Sequence, residues 1–208
     1  DYADLVKAVA PVIKKQDPSG LVVAPAISTL NENGLSWLNE VLDQNILSKI
    51  DAISVHPYRL TGPETVVNDY RKLKEMIKLY TDKDIPIISS EWGYSMADEE
   101  LPLTETQQAK YLTRMFLINL QEGIRVSVWY DWKNDGVNLH DKQHNYGIVF
   151  NDSTQKLSYN AIQTLTKNLK GYKFSKTIKY GRSDNHILEF KNADGKKAIV
   201  FWNTGENL

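Results

Sequence analysis

The residues best placed to do chemistry lie in three short stretches: Asp51–Tyr58 (DAISVHPY), Ile85–Ser95 (IPIISSEWGYS) and Arg125–Trp132 (RVSVWYDW). In the second, Ile85, Ile87 and Ile88 form an apolar run and the side chains shrink at Ser89 and Ser90. Glu91 then stands where strand gives way to loop, with Trp92, Gly93 and Tyr94 directly behind it. A carboxylate beside flat aromatic surfaces suits a reaction in which positive charge develops on a sugar ring, since the charge faces the cation and the apolar faces seat the pyranose. Read alone, Glu91 is equally an ordinary strand-end acid paired with a Lys or Arg. In the first stretch, Ala52, Ser54 and His56 share one face of an alternating strand and Ile53 and Val55 the other. In the third, Ser127, Trp129 and Asp131 share a face opposite Val126, Val128 and Tyr130. The same alternation groups Ile87, Ser89 and Glu91, which makes Glu91 and His56 counterparts on neighbouring strands. His140 and His144, four apart with Asp141 between them, have a spacing that binds metal on a helix. They sit in a stretch of Lys, Asn and Gln that reads as solvated loop, and no metal site or cofactor is expected.

The elements that must position these residues alternate along the chain. Tyr2–Lys15 carries a helical apolar face of Leu5, Val6, Val9, Val12 and Ile13, with Pro11 as an expected kink. Leu21–Ile27 is a buried strand with Pro25 near its end. Gly34–Ile50 is an amphipathic helix, and Asp51–Tyr58 the next strand. Thr61–Glu64 has the capping-box pattern, followed by a helix with the stripe Val66, Tyr70, Leu73, Ile77 and Tyr80. After the strand with Glu91, Thr104–Gln107 offers a second capping box to a helix with Leu112, Phe116 and Leu120 that stops at Gly123. Then come the strand Arg125–Trp132, a long loop to Asn145, the apolar run Tyr146–Phe150, and a last helix over Lys156–Leu169 closed by Gly171. Strand–helix alternation of this kind implies right-handed crossovers and a parallel sheet, an α/β architecture. In α/β barrels functional groups gather at the carboxyl ends of the strands, where His56, Glu91 and Asp131 all fall. After Gly171 the pattern changes. His186–Phe190 and Lys197–Trp202 alternate as strands around the turn Asn192-Ala193-Asp194-Gly195. Residues 1–171 and 172–208 are therefore expected to be two units, the second a partial β-domain.

Composition excludes several classes. The chain has 208 residues, enough for one good-sized core or a domain with an appendage. Its 25 basic and 26 acidic residues nearly cancel, so no field favours nucleic acid or an anionic membrane. No apolar run is long enough to span a bilayer. The absence of cysteine excludes disulfides and thiolate metal sites. Five Trp and eleven Tyr suit carbohydrate platforms, though large cores also use them. The chain opens on Asp1 rather than Met and shows no signal peptide. It is expected to begin inside something longer.

The strand ends VHPY, SSEWG and VWYDW resemble, in order, the sixth, seventh and eighth strands of a clan A retaining glycoside hydrolase. LVKAVAPVIKKQDPSGLVVAP is similar to the fourth helix and fifth strand of those barrels, and NYGIVFNDSTQKLSYNAIQTL to their closing segment. The resemblance covers residues 2–169, against about 250 for a full (β/α)₈ TIM barrel. It points towards the β-xylosidase and iduronidase family and its exopolysaccharide-cleaving relatives. It implies the C-terminal half of the barrel, strands 5 to 8, followed by the start of a small all-β appendage.

The resemblance implies that Glu91 is the catalytic nucleophile. It places His56 and Tyr58 beside it, bonding Glu91 or the sugar at the cleavage point. It makes Trp129 the platform beneath that sugar, with Asp131, Trp92 and Trp132 lining the cleft further out. From their positions alone, Trp92 and Trp132 are as readily core as cleft. The family's acid/base glutamate follows an asparagine at the end of the fourth strand, upstream of Asp1. Asn31-Glu32 lies in a loop instead and reads as helix-start chemistry. The expectation is then a β-glycosidase half-site, inactive alone, whose open edges pair with a second copy or a complementary N-terminal half. The resemblance implies a carbohydrate substrate and an extracellular or periplasmic setting. The rival readings are a non-catalytic carbohydrate-binding barrel, which would use the same aromatics, and a scaffold in which Glu91 is salt-bridged and the tryptophans are buried.

Overall fold

A computed structural model of the chain describes residues 1–205; residues 206–208, the end of the expected β-domain, lie outside the described residues. Four parallel strands stand side by side in chain order: β1 (Val23–Ile27), β2 (Ala52–Val55), β3 (Ile87–Trp92) and β4 (Ser127–Trp129). Helix α1 (Tyr2–Gln16) precedes them, and α2 (Glu32–Leu42), α3 (Val66–Lys78), α4 (Glu105–Gln121) and α5 (Leu157–Leu169) follow one strand each. The chain has the TIM-barrel type of α/β architecture and forms part of such a barrel, joined to an antiparallel sheet of β5 (Lys173–Thr177), β6 (Asn185–Lys191) and β7 (Lys197–Asn203). Strand β5 had no clear signal in the sequence, because its alternation KFSKT carries one large apolar residue.

Local chemistry sets most boundaries. Asp1 and Asp4 make a capping box on α1, which runs through Pro11 without a break. Asn31 Oδ1 accepts from Gly34 N at 3.0 Å and caps α2, so NENG is helix-start chemistry. Thr104 and Gln107 form the expected capping box. Thr61–Glu64 does not. Pro63–Thr65 is a short 3₁₀ turn, Thr61 bonds Thr65, and Glu64 is drawn away to Arg114. Helix α2 ends at Leu42 rather than Ile50, because Asn45 turns left-handed (φ 60°) before a 3₁₀ turn at Ile46–Ser48.

The core lies between sheet and helices. Ile53 and Val55 are fully buried beneath Val66, Tyr70, Leu73 and Ile77 of α3. A buried polar chain crosses the same layer: Tyr70 Oη donates to Asn119 Oδ1 (2.9 Å) and Asn119 Nδ2 to Ser127 Oγ (2.9 Å). Ser127 therefore faces the helices. By strand alternation Val126 and Val128 face the other way, where they are 47% and 46% exposed. An all-parallel sheet normally has both faces covered, and here the inner face is open along its outer strands, at Val23 of β1 as well as at β4.

Candidate active site

The carboxyl ends of β2 and β3 bring Glu91, His56 and Tyr58 together. Tyr58 Oη donates to Glu91 Oε1 at 3.0 Å. His56 Nδ1 stands 3.9 Å from Glu91 Oε2, and the Glu91 side chain keeps 39% of its surface exposed. Burial, and then the bond to Glu91, push the Tyr58 phenol far above its ordinary range, so it is a permanent donor. The arrangement is an ionisable carboxylate, reachable from solvent, with a donor fixed on one oxygen and an imidazole beside the other.

The route by which Glu91 reaches this place differs from strict alternation. Ser54 pairs with Ile88 and Val55 with Ser89, so Ile87 and Ser89 lie over the helices with Ile53 and Val55. The inward set is Ile88 and Ser90, and Ser90 bonds both Ser54 and His56. Between β3 and β4 the register slips. Ser89 pairs with Ser127 but Trp92 pairs with Trp129, so β3 holds one residue more than β4 over that interval. The extra residue, a bulge, lets both Ser90 and Glu91 contact His56, where a regular strand would send neighbours to opposite faces. Period-two reading of the sequence misses this, and the run of small residues Ser89-Ser90 is the only hint of it.

The same correction applies to β4. Trp129 shares the helix-facing side with Ser127. Its ring packs with Leu112, Ile148 and Val149, and its Nε1 donates to the Tyr146 carbonyl at 3.1 Å. It is framework rather than an open platform. Trp92 is also framework, fully buried against Tyr94 with the Arg59 guanidinium 5.4 Å from its ring centre. Trp132 is 64% exposed and its ring packs edge to face on Tyr159 of α5, so it stands with the helix layer. Asp131 feels the charges of both Asp135 and Lys156. Burial and then the Asp135 charge raise its carboxyl to about 6 despite the lysine.

The residues that sequence reasoning overlooked are Tyr130 and Tyr146. The rings of Tyr58 and Tyr146 meet edge to face at 6.1 Å and those of Tyr130 and Tyr146 at 5.3 Å. Burial raises both phenols, and nearby carboxylates, Glu91 among them, add to it. Tyr58, Tyr146 and Tyr130 thus form a run of rings that begins at the carboxylate. Tyr130 N donates to the Trp92 carbonyl at 3.2 Å, and the Tyr130 carbonyl lies so close to Gly93 that a Cβ there would collide with it. Glycine at 93 is a condition of Tyr130 being where it is.

The loop after β4, expected to be solvated, is held by buried amides. Gln108 of α4 donates to the carbonyls of Tyr94 (2.8 Å) and Asn145 (3.1 Å). Asn145 Nδ2 bonds the carbonyls of Asn138 and Asp141, and Lys156 Nζ bonds Asn134 Oδ1 at 2.8 Å. Burial lowers Lys156 to about 8. Among the described residues no group of His, Asp and Glu is arranged to hold a metal ion; His144 reaches only Asp141, at 3.7 Å.

Comparison with known proteins gives the family and the fold. The family model for cellulase (glycosyl hydrolase family 5) matches residues 1–136. The chain belongs to this family. A family 39 glycoside hydrolase from the gut symbiont Bacteroides cellulosilyticus WH2 is similar over 99% of the chain and 44% of its own length, with 26% identity and a TM-score of 0.85. A glucosidase from Croceicoccus marinus matches 96% of the chain and 43% of its own, at 18% identity and TM-score 0.74. A family 30 endoxylanase from Clostridium papyrosolvens C71 matches 98% and 45%, at 14% identity and TM-score 0.56. No curated protein sequence matches. The chain thus falls among the clan A glycoside hydrolases, as its strand-end motifs implied, and spans less than half the length of these solved structures.

Proposed function

We propose that this chain carries the nucleophile side of a retaining hydrolase site for β-linked oligo- or polysaccharide. The observation that carries the reading is Glu91 at the carboxyl end of β3, open to solvent, with Tyr58 Oη at 3.0 Å on one oxygen and His56 at 3.9 Å from the other. In such a reaction the carboxylate attacks the anomeric carbon and forms a glycosyl-enzyme. A second carboxyl, about 5 Å away, protonates the leaving oxygen and then deprotonates the water that releases the sugar. The Tyr58 donor orients the carboxylate for attack and must loosen when its charge is lost to the new bond. Tyr130 and Tyr146 supply the aromatic wall for the ring; Trp129 supports that wall from behind.

The proton donor, in this reading, comes from strands that complete the barrel against the open inner face of β1–β4, and the 208 residues alone do not turn over substrate. The partner for that face is the N-terminal half of the same barrel. The decisive experiment uses the full-length protein and an activated 2-fluoro-β-glycoside. A covalent adduct on the peptide containing Glu91, absent in Glu91→Gln, is the expected result. Sugar binding with no adduct and no turnover would replace the hydrolase with a carbohydrate-binding barrel.

A further inference from the structure

His56 is gripped from both sides by consecutive residues of β3. Its Nε2 lies 3.0 Å from Ser90 Oγ and its Nδ1 3.9 Å from Glu91 Oε2. Ser90 Oγ also bonds Ser54 Oγ, and Ser54 is buried with Ser90 as its one hydrogen-bond partner among the described residues. Both tautomers of a neutral imidazole can be joined to this pair of hydroxyls, since Ser90 Oγ can accept from Ser54 in either. If His56 carried its proton on Nε2 and donated to Ser90, the Ser90 proton would turn to Ser54 or to solvent, and a bare Nδ1 lone pair would face the Glu91 carboxylate. That repulsion counts against this direction. In the opposite direction Ser54 donates to Ser90, Ser90 donates to Nε2, and the imidazole proton sits on Nδ1 facing Glu91. Every buried proton then has an acceptor and the anion faces an N–H.

We infer that Ser90, backed by Ser54, is a positioning residue that fixes His56 as its Nδ1–H tautomer and so directs an imidazole donor at the second oxygen of Glu91. The consequence is a carboxylate with donors arranged on both oxygens, Tyr58 on Oε1 and His56 facing Oε2, so that its orientation is set before substrate arrives. The bulge in β3 makes this possible, since it lets two consecutive residues reach the two nitrogens of one ring. The role assigned to the pair rests on the nucleophile reading of Glu91; the tautomer itself does not.

The test is ¹⁵N-histidine NMR of the full-length protein at pH ~8.5, about two units above the ordinary imidazole value, where neutral rings dominate. Among the four imidazoles of these 208 residues, that of His56 is expected to show a protonated, pyrrole-like Nδ1 and an unprotonated, pyridine-like Nε2. Ser90→Ala should move it towards the Nε2–H form, and Ser90→Thr, which keeps the hydroxyl, should restore the wild-type pattern. Unchanged signals from His140, His144 and His186 certify that each variant is folded. A wild-type Nε2–H ring, or a Ser90→Ala ring still fully Nδ1–H, overturns the inference. Should Ser90→Ala fail to fold, the wild-type spectrum still decides the tautomer, and Ser90→Cys, a near-isostere with a weaker donor, tests its cause. Adduct formation at Glu91 is scored separately, so failure of the hydrolase reading leaves a distinct signature: the tautomer as expected, with no covalent sugar.

Discussion

At the scale of single residues, the site divides into groups that touch the reacting centre and groups that hold them. Glu91→Gln should abolish turnover, because an amide cannot form the glycosyl ester. Tyr58→Phe removes one hydrogen bond to a charged oxygen, worth roughly 1.5–3 kcal/mol, and should lower kcat by about 10- to 100-fold with little change in KM. An equal drop in Trp132→Ala would contradict the placement of Trp132 in the helix layer. Asp131 offers a pH prediction. Its folded carboxyl, raised to about 6, holds its proton longer than the unfolded one near 3.8. The folded state therefore binds more protons between these values, and stability falls as pH rises from 3.8 to about 6. Asp131→Asn should flatten that decline in denaturant titrations at pH 4, 5 and 6. Glu91 and His56 were legible from type and spacing, because strand ends are where such barrels keep their chemistry, and Tyr58 came from the resemblance. Tyr130 and Tyr146 were not. Their roles depend on a register slip in β3 and on the fold of the loop after β4, and neither leaves a period in the sequence.

At the scale of elements, the antiparallel sheet is tied to the barrel by a small polar cluster. Arg114 of α4 holds both oxygens of Glu64 at 2.6 and 2.5 Å, and Trp202 Nε1 of β7 donates to Glu64 Oε1 at 2.7 Å. His186 stacks on Trp202 with ring centres 4.9 Å apart. Burial pushes the Glu64 carboxyl up, but Arg114 outweighs it and the net shift is downward. The carboxylate that Trp202 bonds is thus kept through the ordinary glutamate range and is lost only as pH falls below it. Glu64→Ala strands the Arg114 charge in a largely buried place and should cost about 3–5 kcal/mol. Trp202 fluorescence should then report a loosened β-sheet while circular dichroism retains the helices. The helices and parallel strands were readable because apolar periodicity and caps are local properties. The capping box expected at Thr61–Glu64 failed because a distant arginine competed for Glu64, and sequence distance hides such a competitor.

At the scale of the whole molecule, the inner face decides what the chain needs. Val126 and Val128 are nearly half exposed there, in a class of sheet that covers both faces. Val128→Lys should leave the helix-side core untouched. It should still weaken association with an N-terminal half supplied in trans, measured by light scattering and by recovery of glycosidase turnover. Recovery with Val128→Lys equal to wild type would show that the partner lies elsewhere. That a barrel was present could be read from the order of strands and helices. That half a barrel leaves its inner face without a facing half followed from the same order; which residues stand exposed there could not be read, since exposure of a branched apolar residue on a strand is a property of its neighbours.

The extra residue in β3 has a consequence for how such chains can change. Deleting the codon for Ser90 would preserve the composition, the apolar run and the glutamate, and would give β3 and β4 an even ladder. By the usual standards of sheet regularity the shortened strand would be the better one. Yet Glu91 would retreat by one strand step, about 3.3 Å, towards the bottom of the barrel, well beyond the misplacement of about 1 Å that a reacting group can tolerate. The place of the proposed nucleophile in this chain is thus a matter of counting, and a lineage could lose it through a deletion that improves the sheet.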